Sequence, residues 1–114
     1  MISATDLDLL TFFETEPTAR DEGTPWPYND FAYVDWQNDF VLTFSVAPAY
    51  KDVRIVLARA EVTVYELNAL SVEDVLYQRE KGREILEIIV NSRDRLSLSL
   101  KPGVSIAHRV SENT

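Results

Sequence analysis

The sequence predicts a mainly β protein, an antiparallel meander sheet or sandwich of seven or eight strands with one short N-terminal helix. The 114 residues suit a single domain, 1–114, and 46% of them are apolar, which is enough for one hydrophobic core. Short segments that alternate apolar and polar residues recur along most of the chain, with turn residues between them. Residues 75–100 in particular have the pattern of three consecutive antiparallel strands.

The first 16 residues are predicted to contain the helix, running from Thr5 to Glu16. Thr5 is a suitable N-cap, acidic residues follow it at the positive end of the helix dipole, and Pro17 stops the helix. An edge strand is the alternative, because the segment DLDL alternates. As a helix, the segment would bury an apolar stripe of Leu9, Leu10, Phe12 and Phe13.

Residues 17–30 are predicted to form an irregular acidic loop, because they hold three of the five prolines and one of the three glycines. A loop of this length inside a compact domain is often functional. Trp26 and Tyr28 argue against disorder, since large aromatic side chains usually anchor a loop to a core or to a partner.

Residues 31–110 are predicted to form the antiparallel β core. Strands at 31–37 and 40–47 flank a turn at 37–39, and the second strand would point four apolar side chains inward: Phe40, Leu42, Phe44 and Val46. Residues 53–67 contain no glycine or proline and are too long for an average strand, so we expect a bend or bulge near 59–61. Ser71 is a candidate cap for one helical turn.

Residues 75–100 then predict two hairpins in one register. A two-residue loop at Lys81-Gly82 would pair Tyr77 with Leu86 and Val75 with Ile88. A second loop, of three residues at 92–94 or five at 91–95, would add three pairs: Val90 with Leu96, Ile88 with Leu98, and Leu86 with Leu100. Both loops place the same apolar side chains on one face: Val75, Tyr77, Leu86, Ile88, Val90, Leu96, Leu98 and Leu100.

The reverse face of this meander carries Leu76, Ile85 and Ile89, and is half apolar. We therefore expect another element to cover part of it, with the N-terminal helix as the candidate. The last predicted strand alternates Val104, Ile106, His108 and Val110, and residues 111–114 are predicted to form a frayed tail.

Several functional classes are disfavoured. The chain has no cysteine, no signal-peptide pattern and no apolar run of membrane-spanning length, so we expect a cytoplasmic protein without a membrane partner. A net charge of −8 argues against nucleic acid. The three glycines are isolated, no Gly-x-Ser-x-Gly occurs, and His108 alone is no familiar zinc site. We expect no enzyme, no metal site and no cofactor.

The charge distribution is the most informative feature of the sequence. Residues 1–39 hold nine acidic residues against Arg20 alone, whereas residues 40–114 hold ten acidic and ten basic residues. The entire net charge therefore belongs to the first third of the chain, together with seven of the twelve aromatic residues. Packing does not require this clustering, and self-repulsion makes it mildly unfavourable.

Aromatic anchors with an acidic rim suit a basic protein partner. The predicted contact surface consists of Asp21, Glu22, Trp26, Tyr28, Asp30, Asp35, Trp36 and Asp39. This pattern favours a small binding protein that neutralises a basic partner, in the manner of bacterial immunity proteins or antitoxins that mask nucleases. No motif in the sequence identifies a particular family of such proteins.

Three alternatives remain open. The same region could be an acidic, solvated loop whose aromatic residues fill the edge of the core. Trp26, Tyr28 and Trp36 could instead form a stacking platform for a sugar or another small molecule. The half-apolar reverse face of the meander could also be self-complementary and build an obligate homo-oligomer such as a homodimer.

Overall fold

A computed structural model describes residues 1–111 as two antiparallel sheets around one hydrophobic core. The first sheet has five strands, in the order β1 (Thr18–Ala19), β2 (Phe31–Gln37), β3 (Phe40–Ala47), β4 (Asp52–Arg59) and β5 (Val62–Ala69). The second has four, in the order β6 (Asp74–Glu80), β7 (Arg83–Ile89), β8 (Asp94–Ser99) and β9 (Ser105–Val110). The predicted mainly β fold with one N-terminal helix is confirmed. The described residues form nine strands instead of seven or eight, because β1 lies within the segment 17–30 that was predicted to be an irregular loop.

Helix α1 spans Asp6–Phe13 and begins at the predicted cap. The Thr5 hydroxyl accepts from the Asp8 backbone N–H at 3.1 Å, and the Asp8 carboxylate accepts from the Thr5 backbone N–H at 2.9 Å. The helix ends earlier than predicted because Glu14 adopts a left-handed conformation, with φ of 55°, before Pro17 is reached.

The helix packs against the interior of the sandwich. Phe13 stacks on Tyr33 with ring centroids 4.8 Å apart, and Phe12 meets Tyr77 edge to face at 6.3 Å. The expectation that α1 covers the reverse face of the meander is therefore wrong. Its stripe, which buries Leu9, Phe12 and Phe13, joins the core shared by the two sheets, where these large side chains lose most of their contact with water.

Strands β2 and β3 have the predicted boundaries, and the inward side chains of β3 are buried except Phe40, which is half-buried. The segment 53–67 differs from the prediction. Ala60 and Glu61 both adopt left-handed conformations, with φ of 50° and 66°, and form a two-residue turn between β4 and β5. Such turns usually contain glycine or asparagine, so Ala60 and Glu61 are a weak signal for a turn between two strands. A register shift between Leu57 and Ala58 adds the predicted irregularity.

Ser71 does not cap a helical turn. It lies at a bend with φ of 52°, and its backbone N–H donates to Asp52 Oδ1 at 2.9 Å. This contact ties the connection between the two sheets to the start of β4 and gives the Ser71 backbone N–H a hydrogen-bond partner without a helical turn.

The first hairpin of the meander has the predicted register, with Tyr77 opposite Leu86 and Val75 opposite Ile88. Gly82 has the positive φ, 78°, that the two-residue loop requires. The second hairpin is shifted by two residues from the prediction, because Ile88 pairs with Leu96 and Leu86 pairs with Leu98.

The Asn91 side chain explains this shift. Its Oδ1 accepts from the backbone N–H groups of Arg93 and Asp94, both at 2.8 Å, and closes a loop that also joins Val90 N–H to the Asp94 carbonyl. A shift of two residues keeps every side chain on its predicted face. Six of the eight predicted inward residues are buried, and Tyr77 and Val90 pack against the core while partly exposed.

Strand β9 completes the second sheet. Ile106 and Val104, which precedes the strand, pack against the core, whereas His108 and Val110 are exposed. Ser111, the first residue of the predicted tail, donates its backbone N–H to the Arg93 carbonyl at 2.7 Å. Residues 112–114 lie outside the described residues.

Candidate functional site

The eight residues of the predicted contact surface do not form one cluster. They fall into two groups at opposite ends of β2, about 20 Å apart at roughly 3.3 Å per residue from Asp30 to Trp36. The loop-end group precedes the strand and consists of Asp21, Glu22, Trp26, Tyr28 and Asp30. The turn-end group lies at the end of β2 and in the turn to β3, and consists of Asp35, Trp36 and Asp39.

Asn29 holds the loop of the loop-end group in shape. Its side chain is 4% exposed and makes four hydrogen bonds with the backbone. Oδ1 accepts from the N–H groups of Asp21 and Asp30 at 3.1 and 2.8 Å, and Nδ2 donates to the carbonyls of Asp21 and Thr24 at 2.6 and 3.3 Å. A buried amide with all of these partners fixes the loop as an ordered surface.

Trp26 joins this loop to the core. Its ring stacks on Phe31 with centroids 5.9 Å apart and an angle of 23° between the planes. The buried indole Nε1 lies beside the Tyr33 hydroxyl without reaching a hydrogen-bonding geometry, so it has no partner among the described residues. Burial raises the pKa of Tyr33 to about 12 and outweighs the opposite effect of the indole N–H. Tyr28, by contrast, is 67% exposed.

A groove of about 280 Å³, named here the α1–loop groove, lies between α1 and the loop. Its lining consists of Asp6, Leu7, Leu10, Glu16, Pro17, Trp26 and Tyr33. Asp6 and Glu16 both act on Tyr33, since each contributes electrostatically to its raised pKa. Neither carboxylate was in the predicted surface, although the charge count of residues 1–39 had included both.

The turn-end group has a different environment. The Asp35 side chain is half-buried and accepts from Gln37 Nε2 at 2.7 Å. Gln37 also donates to the Leu100 carbonyl at 2.8 Å and accepts from the Val104 N–H at 2.9 Å, so it bridges the two sheets. Asp35 therefore belongs to a structural hydrogen-bond network.

The other two members of the turn-end group, Trp36 and Asp39, lie outside the hydrogen-bond network of Asp35 and Gln37. Asp39 forms an ion pair with Arg59 at 3.6 Å, and the Arg59 guanidinium lies 5.6 Å from the centre of the Phe40 ring. Trp36 is 74% exposed and lies on the opposite face of β2 from Asp35, because side chains alternate along a strand. The group thus contains one exposed aromatic residue and two carboxylates that already have partners.

The loop end differs in this respect. Among residues 1–111, the acidic residues of the first third that form ion pairs are Glu14, with Lys101 at 2.6 Å, and Asp39. Within the same described residues, no ion pair involves five carboxylates near the loop: Asp6, Glu16, Asp21, Glu22 and Asp30. The uncompensated negative charge is therefore concentrated around α1 and the loop.

The geometry does not assemble the aromatic platform of the second hypothesis. Trp26 stacks against the core, Tyr28 is exposed beside it, and Trp36 lies at the far end of β2. The three rings share no face on which a sugar could stack.

A second groove, of about 540 Å³, crosses the outer face of the five-stranded sheet near β1. Its charged lining residues are of both signs, Arg20, Asp30, Asp52 and Arg54. Farther along the same sheet, Val34, Trp36 and Val64 are exposed. Because the charges that line this groove are of both signs, the groove does not favour a ligand of either charge.

His108 is exposed on β9, with Nε2 3.3 Å from Asp94 Oδ1. The Asn91 amide, assisted by His108, lowers the pKa of the Asp94 carboxyl. Across residues 1–111, no three side chains of the metal-binding types converge on one point. The described part of the chain also contains no helix with the length and apolar character to cross a membrane.

Comparison with known proteins identifies the fold. The chain resembles a chain of the contact-dependent growth inhibition toxin–immunity protein complex from Klebsiella pneumoniae 342, with a TM-score of 0.77 and 14% sequence identity over 91% of each chain. No protein-family model matches the sequence, and no curated protein matches it. At this identity, the likeness shows that the two chains share a fold.

Proposed function

We propose that this chain is a small acidic binding protein that binds and neutralises a basic protein partner in the cytoplasm, as an immunity protein does. The observation that carries the proposal is the group of five carboxylates around α1 and the loop that form no ion pair within residues 1–111, beside an ordered aromatic surface. Residues 40–114 have no net charge, so the whole net charge of −8 comes from residues 1–39.

The physical argument is electrostatic. The five carboxylates outnumber Arg20, the one Lys or Arg among residues 1–39, so they repel one another and gain nothing for the fold, whereas a basic partner would relieve that repulsion. Complementary charge mainly accelerates association and adds selectivity, and the aromatic anchors supply contact area. Tyr28 is exposed for such contact, and Trp26, two residues before it, is held in place by its stacking on Phe31.

The structural likeness supports the same proposal. The similar chain comes from a toxin–immunity protein complex, so this fold is used in a toxin–immunity pair. Of the two roles, immunity fits this chain better because its surface offers an acidic patch, and its single histidine is exposed beside Asp94 rather than set in a pocket.

The proposed contact surface is the loop-end group together with Asp6 and Glu16. A standard interface covers about 800 Å² per partner, which is broad enough to extend along part of β2. The turn-end group stays outside this surface, because it lies about 20 Å away along β2 and both of its carboxylates already have partners within the fold.

The direct test is co-expression with a basic, toxin-like protein, which we expect to be encoded beside the gene for this chain. We expect the chain to restore growth of cells that express this neighbour and to elute with it as one complex at 50–150 mM salt, a range chosen because charge steering weakens as salt rises. Failure of both rescue and co-elution at the lowest salt would refute the proposed function.

A further inference from the structure

We propose that the α1–loop groove is the receptor for a single arginine side chain of the basic partner. This inference rests on the proposed function and names the chemistry of one contact within it. The groove combines an aromatic floor, aliphatic walls and two carboxylates, and no Lys or Arg lines it.

The dimensions suit one long side chain. A volume of about 280 Å³ lies below the range of roughly 300–1,000 Å³ typical of pockets that enclose a drug-sized ligand. Leu7, which is 67% exposed, lies with Leu10 and Pro17 among the apolar residues of the lining. Such surface matches the aliphatic stem of arginine, which buries its methylene groups while its charged head stays accessible to water.

The charged head also has suitable partners. Asp6 begins α1 and Glu16 follows its end, so the two carboxylates approach the groove from different segments. Both act on the Tyr33 hydroxyl in the groove, which indicates that their fields meet there. The positive end of the α1 dipole offsets part of the negative charge of Asp6. The carboxylate of Asp8, in the same turn, adds a second negative charge that counters this effect of the dipole.

Arginine fits better than the other candidates. A guanidinium can stack flat on the Trp26 indole and reach a carboxylate in the same pose, whereas lysine provides a point charge on a flexible stem. An anion would be repelled by Asp6 and Glu16. A divalent metal would need more oxygen ligands than these two carboxylates supply.

The probe for the test is N-acetyl-L-arginine methylamide, added to a Trp36→Phe background in which Trp26 is the only tryptophan. We expect saturable changes in Trp26 fluorescence and in the Trp26 indole N–H resonance. The neutral citrulline analogue should cause neither change, and the lysine analogue should bind more weakly.

The matched variants each remove two charges. Asp6→Asn with Glu16→Gln should weaken arginine binding about fivefold, the scale of two exposed charge pairs. Asp35→Asn with Asp39→Asn should leave binding unchanged, because neither residue lines the groove. Circular dichroism and thermal melting would verify that both variants fold.

Equal binding of the citrulline analogue, or no loss in the groove variant, would overturn the proposal. The two proposals fail separately. If the basic partner forms a tight complex whose affinity does not change in the groove variant, the arginine proposal fails and the proposed function stands. If the groove binds arginine but the chain binds no basic partner, the proposed function fails and arginine binding by the groove stands.

Discussion

The two ends of β2 carry similar residues in different physical settings. Each end has a tryptophan, acidic residues and one side-chain amide that makes several hydrogen bonds. Asn29, at the start, bonds to residues no more than eight positions away and shapes one loop. Gln37, at the end, bonds across 63 and 67 positions and joins the two sheets.

The carboxylates follow the same division. At the turn end, Asp35 accepts from Gln37 and Asp39 pairs with Arg59, so both have partners within the fold. At the loop end, Asp30 and its acidic neighbours form no ion pair among residues 1–111. Composition alone therefore does not identify a binding surface. The two ends differ in whether their carboxylates already have ion-pair or hydrogen-bonding side-chain partners within the protein.

The largest expected difference between the two ends concerns the tryptophans. Trp26→Ala should lower the free energy of unfolding by about 3 kcal/mol, because the ring stacks on Phe31 and packs against the core. Trp36→Ala, at a 74% exposed position, should change it by less than about 0.5 kcal/mol. Urea denaturation of both variants measures the difference, and equal losses would contradict the assignment of Trp26 to the core edge.

Asn29→Ala should destabilise the protein by about 2–3 kcal/mol, since it removes four hydrogen bonds from a buried amide. We also expect amide hydrogen exchange to accelerate in residues 17–30 before it does in β6–β8. Asn68→Ala, at an exposed site on β5, is the matched control and should have little effect. Unchanged exchange in the loop would show that Asn29 does not hold it.

Gln37→Ala should cost about 2 kcal/mol, because three hydrogen bonds are lost at a half-buried site. Here the loss should be global, with exchange accelerated in both sheets and partner binding unchanged once the protein is folded. The exposed Gln78 on β6 provides the control substitution to alanine. A loss confined to the β2–β3 turn would show that Gln37 does not couple the sheets.

The smallest expected effect involves Asp74, which fixes the segment leading into α1. Partial burial acts to raise the pKa of Asp74, but hydrogen bonds from Ser3 and Val75, with Lys51 nearby, outweigh it and lower the pKa. The folded state therefore favours the ionised form, and its contribution is present above about pH 4 and lost as the pH falls through the folded value.

Asp74→Asn should accordingly reduce stability at pH 7 by less than about 1 kcal/mol and flatten the acid side of the stability curve. Denaturation from pH 2 to pH 7 measures this, with the exposed Glu73→Gln as control. An unchanged acid slope in the Asp74 variant would contradict the role given to Ser3.

The sequence predicted the parts of the fold that depend on alternation and local turns. The inward face of β6–β8 was predicted because a register error of two residues moves no side chain to the other face. The turn at Ala60-Glu61 was missed because neither residue signals a left-handed conformation. The bridge made by Gln37 was also missed, since its partners lie more than 60 residues away.

The same limits apply to the candidate site. The charge count located the acidic third of the chain, but sequence could not show which carboxylates have partners in the fold. Asp35 and Trp36 are adjacent in sequence and lie on opposite faces of β2, whereas Asp6 and Glu16 are ten positions apart and line one groove. Proximity in space, rather than in sequence, divides the acidic residues into two groups.

The central claim is that the loop end, and not the turn end, attracts the basic partner. The most direct test is the association rate of the partner at several salt concentrations, for two variants that each remove two charges. Glu22→Gln with Asp30→Asn should slow association about tenfold at low salt and flatten its salt dependence, whereas Asp35→Asn with Asp39→Asn should match the unmodified protein. Equal effects of the two variants, or a larger effect of the turn-end variant, would contradict the account.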